Sequence, residues 1–456
     1  MTVPTSANER LALLDRYVRI QTQSRAVAAE HVAAVRAFWQ ELGLDLAELW
    51  PAERDGAPAL YAELRGAAPG PTVLLYGHYD VQPPGDLAGW RWGGRACDPW
   101  TPSYFLGDEP AEPAELSEAD LGRLYLVARG GCDNKGQHLG NVLGVLQARE
   151  AGTLRGTVKI LLDGEEEHGS PHLEAIVRRH RERLGADLLV GSDGPKANDA
   201  PTIVLGVRGI VGVELRADNG RGQSVHSGNY GNIVASPVTP LARLIAGLGE
   251  RVGAIARRHT TFREEVLTAF AELPNRAAWE PFLDPTVNVN GILSEGVTPG
   301  ATRTIIPGWA QATLDVRVTP DTPPEEVLEA IDAARLDEVA RSRGVTIVMR
   351  RTPGCPASYT SPGERGFAAV VSATRACWGQ EPVILPLLGG TLPAYVFTDV
   401  LGLPAYWLPG AQSNNRQHDV NEHLLVEHYL RQPGWYAAVL EAVAEELTPG
   451  SAAPMR

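Results

Sequence analysis

Short apolar runs alternate with helix-length amphipathic segments in the first part of the chain, and this alternation restricts the fold more than any other feature. Segments 73–76, 158–162 and 188–190 are short and, Lys159 apart, apolar on both faces, the pattern of strands covered on both sides. Helical periodicity over 137–151 and 171–180 separates them. Two further amphipathic helices are predicted over 6–20 and 29–43, the second with Val32, Val35, Phe38, Trp39 and Leu42 at helical spacing. Such an order predicts a layered α/β/α domain built on a largely parallel sheet.

Past residue 207 the texture changes. Segments 202–207 and 210–217 read as strands, 238–255 as a long helix, 286–292 and 310–318 as strands, 324–334 as a helix and 345–350 as a strand. Two helices with about four strands predict a small α+β domain whose sheet is open on one face. After Thr352-Pro353-Gly354 the chain returns to helix, strand and helix, closing with a helix over 421–446. That last piece is too small to stand alone, and 456 residues exceed one ordinary domain. The expected organisation is therefore one domain formed by residues 1–206 and 353–456, with 207–352 inserted into it. Residues 95–121 are rich in Pro, Gly, Asp and Glu and predict a surface loop.

Composition narrows the partners. A formal net charge of -14 argues against nucleic acid or an anionic membrane as a ligand. The start of the chain has no basic segment leading into an apolar run, and no uncharged apolar stretch reaches spanning length. Cys97, Cys132, Cys355 and Cys377 are scattered without CxxC spacing, so reduced thiols and a cytoplasmic setting are expected.

Five clusters carry groups able to do chemistry. Gly77-His78-Tyr79-Asp80 follows the first apolar run, where function collects in open α/β sheets, and Asp80 can orient the His78 imidazole. Asp133, in Arg129-Gly130-Gly131-Cys132-Asp133-Asn134-Lys135-Gly136, precedes a helix and as a lone residue would be a helix cap. Asp163-Gly164-Glu165-Glu166-Glu167-His168-Gly169 follows another apolar run, and adjacent carboxylates there repel unless a cation or solvent compensates. Ser192-Asp193-Gly194 follows the third run, and His418-Asp419-Val420-Asn421-Glu422 precedes the last helix. Each is ordinary alone. Together they form a histidine and carboxylate set suited to zinc, manganese or cobalt. No GxSxG follows a strand, which disfavours a Ser-His-Asp hydrolase.

In LLYGHYDVQPP, RGGCDNKG and EEEHGS, taken in order over nearly the whole chain, the sequence resembles the co-catalytic dinuclear-zinc metallopeptidase family. That family spans carnosinase-like dipeptidases, aminoacylases, glutamate carboxypeptidases and succinyl-diaminopimelate desuccinylase, and the resemblance is strongest to the carnosinase-like branch. It implies two divalent ions per chain. Asp133 would bridge them, His78 and Asp193 would hold one, and Glu167 and His418 the other. It makes Glu166 the general base that would take the proton of a water held between the metals, leaving hydroxide, and Asp80 the residue steering His78. The run of three glutamates leaves base and ligand open by one residue, and His423 and His428 are alternatives to His418. It also implies that the insert is a lid and dimerisation domain, with His226 of Ser224-Val225-His226-Ser227-Gly228 reaching the reacting carbonyl of a partner subunit. Asn290, Arg317, Gly390 and Thr391 match substrate-contacting positions, and Arg317 suits a carboxylate through paired donors.

These readings predict hydrolysis of an amide bond in small peptides, of dipeptidase or carboxypeptidase type, by a homodimer. The alternative is an N-acyl amino acid amidohydrolase such as an aminoacylase, desuccinylase or carbamoylase. A non-catalytic metal-binding or scaffold protein on the same fold would require a missing ligand or base, and neither is missing.

Overall fold

In the computed structural model, which describes residues 3–273, 276–296 and 303–448, the apolar run at 73–76 lies inside an eleven-residue strand, Ala68–His78. It is one of eight strands in a mixed sheet. Their order is Ala47–Leu49, Ala59–Arg65, Arg155–Asp163, Ala68–His78, Leu188–Gly191, Ala405–Trp407, Thr202–Val204 and Val383–Leu385. The four strands from Arg155–Asp163 to Ala405–Trp407 run parallel, and Ala59–Arg65 flanks them antiparallel. Leu188–Gly191 and Ala405–Trp407 are buried at every position, as expected where both faces of a sheet are covered. The helices Lys135–Glu150 and Val426–Leu447 pack closely enough that a side chain at Gly144 would meet the Pro433 carbonyl at 2.3 Å. Among the described residues, no helix is long and apolar enough to cross a membrane.

Contacts divide the chain into two units. One contains the residues up to Leu205, Thr360–Leu385 and those from Val396 on; the other contains Gly206–Tyr359 and Pro386–Tyr395. The division differs from the one expected at residue 352, because that position falls inside the strand Thr346–Cys355. This strand pairs with Gly209–Asp218 as far as Ile210 opposite Cys355. It is an edge strand, so Pro353 interrupts no ladder on its outer side.

The second unit holds a four-stranded antiparallel sheet in the order Thr286–Ser294, Trp309–Val318, Gly209–Asp218 and Thr346–Cys355. Burial alternates along Trp309–Val318. Its buried face, Ala310, Ala312, Leu314, Val316 and Val318, shares a core with residues of the helices Val238–Ala256 and Pro324–Arg341.

Two local expectations are corrected. Residues 95–121 are not a bare loop: Ser103–Leu106 and Glu109–Pro110 join Leu124–Val127 and His423–Leu425 in a second four-stranded sheet. Trp90, Cys97, Phe105 and Val127 bury against one another there. The final helix begins at Val426 rather than 421, because His423–Leu425 is held extended by pairing with Leu124–Val127.

Candidate metal centre

Parallel pairing brings three strand ends side by side. His78 lies opposite Asp163, and Gly191 opposite Tyr76, so the residues that follow leave the sheet along one edge. Asp133 enters this edge from the start of the helix Lys135–Glu150, where Asn134 Nδ2 donates to the Ser192 carbonyl at 2.7 Å. This is the carboxyl end of the parallel strands.

Six side chains meet there. His78 is fully buried, and its Nδ1 lies 3.0 Å from the Asp80 carbonyl oxygen. A carbonyl can only accept, so Nδ1 carries a proton and Nε2 is turned toward the carboxylates. Nε2 lies 3.0 Å from Asp133 Oδ1, 3.6 Å from Asp193 Oδ2 and 4.0 Å from Glu166 Oε2. His418 Nε2 lies 3.2 Å from Asp133 Oδ2 and 3.1 Å from Glu167 Oε2. Asp133 thus touches both histidines through different oxygens. Donor atoms of His78, Asp133 and Glu167, and of His78, Glu166 and Asp193, form two triads, each within 4.8 Å.

The Asp80 carboxylate makes its shortest contacts elsewhere than at His78. Its oxygens accept from the backbone N–H groups of Glu166 at 3.1 Å and Glu167 at 3.2 Å, against 3.4 Å to His78 Nδ1. The Asp80 backbone orients the imidazole, while the side chain fixes the glutamate turn. Glu165 faces away from the cluster, accepting from Ala57 N at 3.2 Å and holding His172 Nδ1 at 2.7 Å. His423 and His428 also lie outside it: His423 contacts the Asn421 carbonyl, and His428 sits edge-on to Trp378.

The electrostatics are those of crowded, buried carboxylates. Burial, then the charge of Asp133, raises Glu167 to about 7 and Asp193 to about 6. Burial and neighbouring acids also raise Glu166 well above the usual range. Burial opposes ionisation of Asp133 too, but hydrogen bonds from His418 and His78 outweigh it and hold this carboxylate low. Hydrogen bonding to Asp133 and Glu167 lifts His418 to about 11. Asp193 Oδ2 is buried without a hydrogen-bond partner among the described residues. An unsatisfied carboxylate oxygen beside an imidazole and further acids fits a divalent cation: positive charge there would relieve the repulsion, and nitrogen and oxygen donors suit zinc-class ions.

Sequence reasoning missed Gln82. Its backbone N–H donates to Glu167 Oε1 at 3.1 Å, and its amide Nε2 to Glu167 Oε2 and the Glu167 carbonyl, both at 2.9 Å. A glutamine four residues after a strand-end histidine has no local signature.

The second unit carries the remaining candidates. His226 ends the short strand Val225–His226 with an exposed side chain, and its Nδ1 accepts from Gly228 N at 3.1 Å and Asn229 N at 3.3 Å. Asn290 lies at a register shift between Val289 and Gly291, an irregularity of the kind that re-aims a side chain. Arg317 Nε lies 3.3 Å from Asp315 Oδ1, and its Nη1 donates to Thr391 Oγ1 at 2.9 Å. Thr391 Oγ1 in turn donates to the Arg208 carbonyl at 2.8 Å, and neighbouring Gly390 is exposed.

Comparison with known proteins bears on this geometry. Residues 74–442 match the peptidase family M20/M25/M40. The Beta-Ala-His dipeptidase of Rattus norvegicus is 27% identical over 420 residues, covering 84% of this chain and 79% of its own. The Cys-Gly metallodipeptidase DUG1 of Candida albicans is 25% identical, covering 79% and 76%. The M20 family metallo-carboxypeptidase Sso-CP2 from Sulfolobus solfataricus superimposes with a TM-score of 0.72 at 25% identity, covering 96% of this chain and 99% of that one. The chain belongs to the peptidase family M20/M25/M40 and is a metal-dependent peptidase.

Proposed function

We propose that this enzyme cleaves the amide bond of dipeptides and similarly small peptides with a free C-terminus, using two divalent ions of the zinc class per chain. The observation that carries the reading is Asp133, whose two oxygens reach His78 and His418 separately. A carboxylate so placed suits a bridge between two cations, with His78 and Asp193 toward one and Glu167 and His418 toward the other. Two relatives named as dipeptidases support the substrate size.

The two ions would supply Lewis acidity toward the scissile carbonyl and lower the pKa of water at the site. The protein's own groups do the rest. Glu166, whose Oε2 lies 4.0 Å from His78 Nε2, takes a proton from the attacking water on its carboxylate and passes it to the departing amine nitrogen. Asp80 holds the Glu166 and Glu167 backbone, so the base and its neighbour stay in register. Arg317 and His226 are assigned to the substrate's carboxylate and the reacting carbonyl oxygen, with Asn290, Gly390 and Thr391 completing the substrate contacts.

Metal analysis with an activity panel of dipeptides and N-acyl amino acids tests this. Glu166→Gln is expected to keep both ions and lose turnover, whereas Glu167→Gln loses one ion. The reverse pattern would move the base by one residue. Hydrolysis of N-acyl amino acids with no dipeptide turnover would transfer the protein to the amidohydrolase reading.

A further inference from the structure

Glu422 closes the His418-Asp419-Val420-Asn421-Glu422 segment, and its side chain is fully buried. Its Oε2 accepts from Arg129 Nη1 at 2.7 Å and Gly130 N at 3.1 Å. Its Oε1 accepts from the backbone N–H groups of Cys132 and Asp133, both at 3.0 Å, and from the Cys132 thiol at 3.3 Å. One carboxylate therefore gathers three backbone donors from the loop that carries Asp133. Buried N–H groups left without such an acceptor would each cost a desolvation penalty.

The same carboxylate is tied to the His418 loop. Arg129, itself 1% exposed and stacked over Trp90, gives its Nη2 to the Asp419 carbonyl at 3.0 Å. His418 has a φ of +62°, the left-handed region that a non-glycine residue holds only when its surroundings impose it. The Arg129–Asp419 contact is one such constraint, applied at the adjacent residue.

We propose that Glu422 is a positioning residue for the metal centre: it fixes the Asp133 backbone directly and the His418 loop through Arg129, so that the bridging carboxylate and the exposed histidine reach the same ions. The inference rests on Asp133 and His418 being ligands, as proposed above. It makes ion binding at the two positions interdependent, because one buried carboxylate organises a ligand of each.

Zinc affinity and stoichiometry, measured on folded protein against a competing chelator, test the proposal, with the visible spectrum of the cobalt-substituted protein as a second readout. Glu422→Gln replaces one acceptor oxygen with a donor facing other donors, and is expected to weaken both ions at least tenfold and alter the cobalt spectrum. Because it also leaves Arg129 buried without a counter-charge, the double variant Glu422→Gln/Arg129→Gln is measured beside it. That variant should regain thermal stability without regaining affinity. Glu422→Asp keeps the charge but draws the carboxylate back from the N–H groups, and provides the measurement if neither neutral variant folds. Val439→Ala, in the core of the last helix, is the control for destabilisation alone and should leave affinity within twofold of the parent. A folded Glu422 variant that binds both ions within twofold of the parent, with an unchanged cobalt spectrum, overturns the proposal. A parent that binds fewer than two ions, or an Asp133→Asn variant that keeps both, overturns the ligand assignment and the proposal with it.

Discussion

His428 lies at the start of the helix Val426–Leu447, its ring centroid 6.2 Å from that of Trp378 and its Nδ1 without a hydrogen-bond partner among the described residues. Burial, and then the charge of Lys196, pushes it down to about 3. Between that value and the ordinary histidine value near 6.5, the unfolded chain binds a proton that the fold rejects. Stability conferred by neutral His428 is therefore lost as pH falls from about 6.5 toward 3, at up to about 1.4 kcal/mol per pH unit. Urea unfolding of the parent and of His428→Phe at pH 6.5, 5.5 and 4.5 is expected to show the variant losing less stability over that range. Parallel pH curves would assign the acid sensitivity elsewhere. Residues of this kind show what a sequence conceals. The five chemical clusters were legible because each sits beside a strand end or helix start, and parallel pairing then brings His78 opposite Asp163. Glu422 was legible as part of a motif but not in its work, because it contacts Cys132 N across 290 positions of chain and leaves no local pattern.

At the scale of elements, long periodic segments were legible and short paired ones were not. The helix Val238–Ala256 matches its periodicity closely, since one wide apolar stripe packs against a single sheet face. The strand Ser103–Leu106 is only four residues long and lies among turn formers, so its pairing with Leu124–Val127 could not be read locally. His423–Leu425 is extended for the same non-local reason. The strand Trp309–Val318 gives the clearest element-level prediction. Its Arg317 already contacts Asp315 and Thr391, a structural role to be separated from a substrate role. If it also binds the substrate carboxylate, Arg317→Ala should lower kcat/KM for free dipeptides more than tenfold, consistent with the loss of about 2–5 kcal/mol from a desolvated charge pair. It should also erase the parent's preference over C-terminal amides, and Arg317→Lys should not restore it, since an ammonium cannot offer two parallel donors. A fall in melting temperature with selectivity unchanged would leave Arg317 a structural partner of Asp315 and Thr391.

For the whole molecule, the question is what satisfies the edge strand Thr286–Ser294. Val289 and Ile292 pair with Leu314 and Ala312, so they lie on the helix-covered face, yet they are 43% and 56% exposed. Leu293, on the other face, is 62% exposed. An edge with apolar side chains on both faces invites pairing with another chain, and a second copy of the same edge is the simplest closed partner. Light scattering is expected to give twice the chain mass, and Ile292→Asp to shift the protein toward the monomer. The catalytic consequence can be separated from assembly itself. If His226 acts in the partner's site, Glu166→Gln and His226→Ala are each inactive as homodimers. A heterodimer of the two contains one site with both groups intact. Random subunit exchange between equal amounts makes half the dimers mixed, each with one working site of two, so about a quarter of parental activity should return. Recovery should grow with the exchange time and vanish when Ile292→Asp is added to both variants. A mixture that stays as inactive as its components, while exchange is verified by mass, would place His226 in the site of its own chain or outside catalysis.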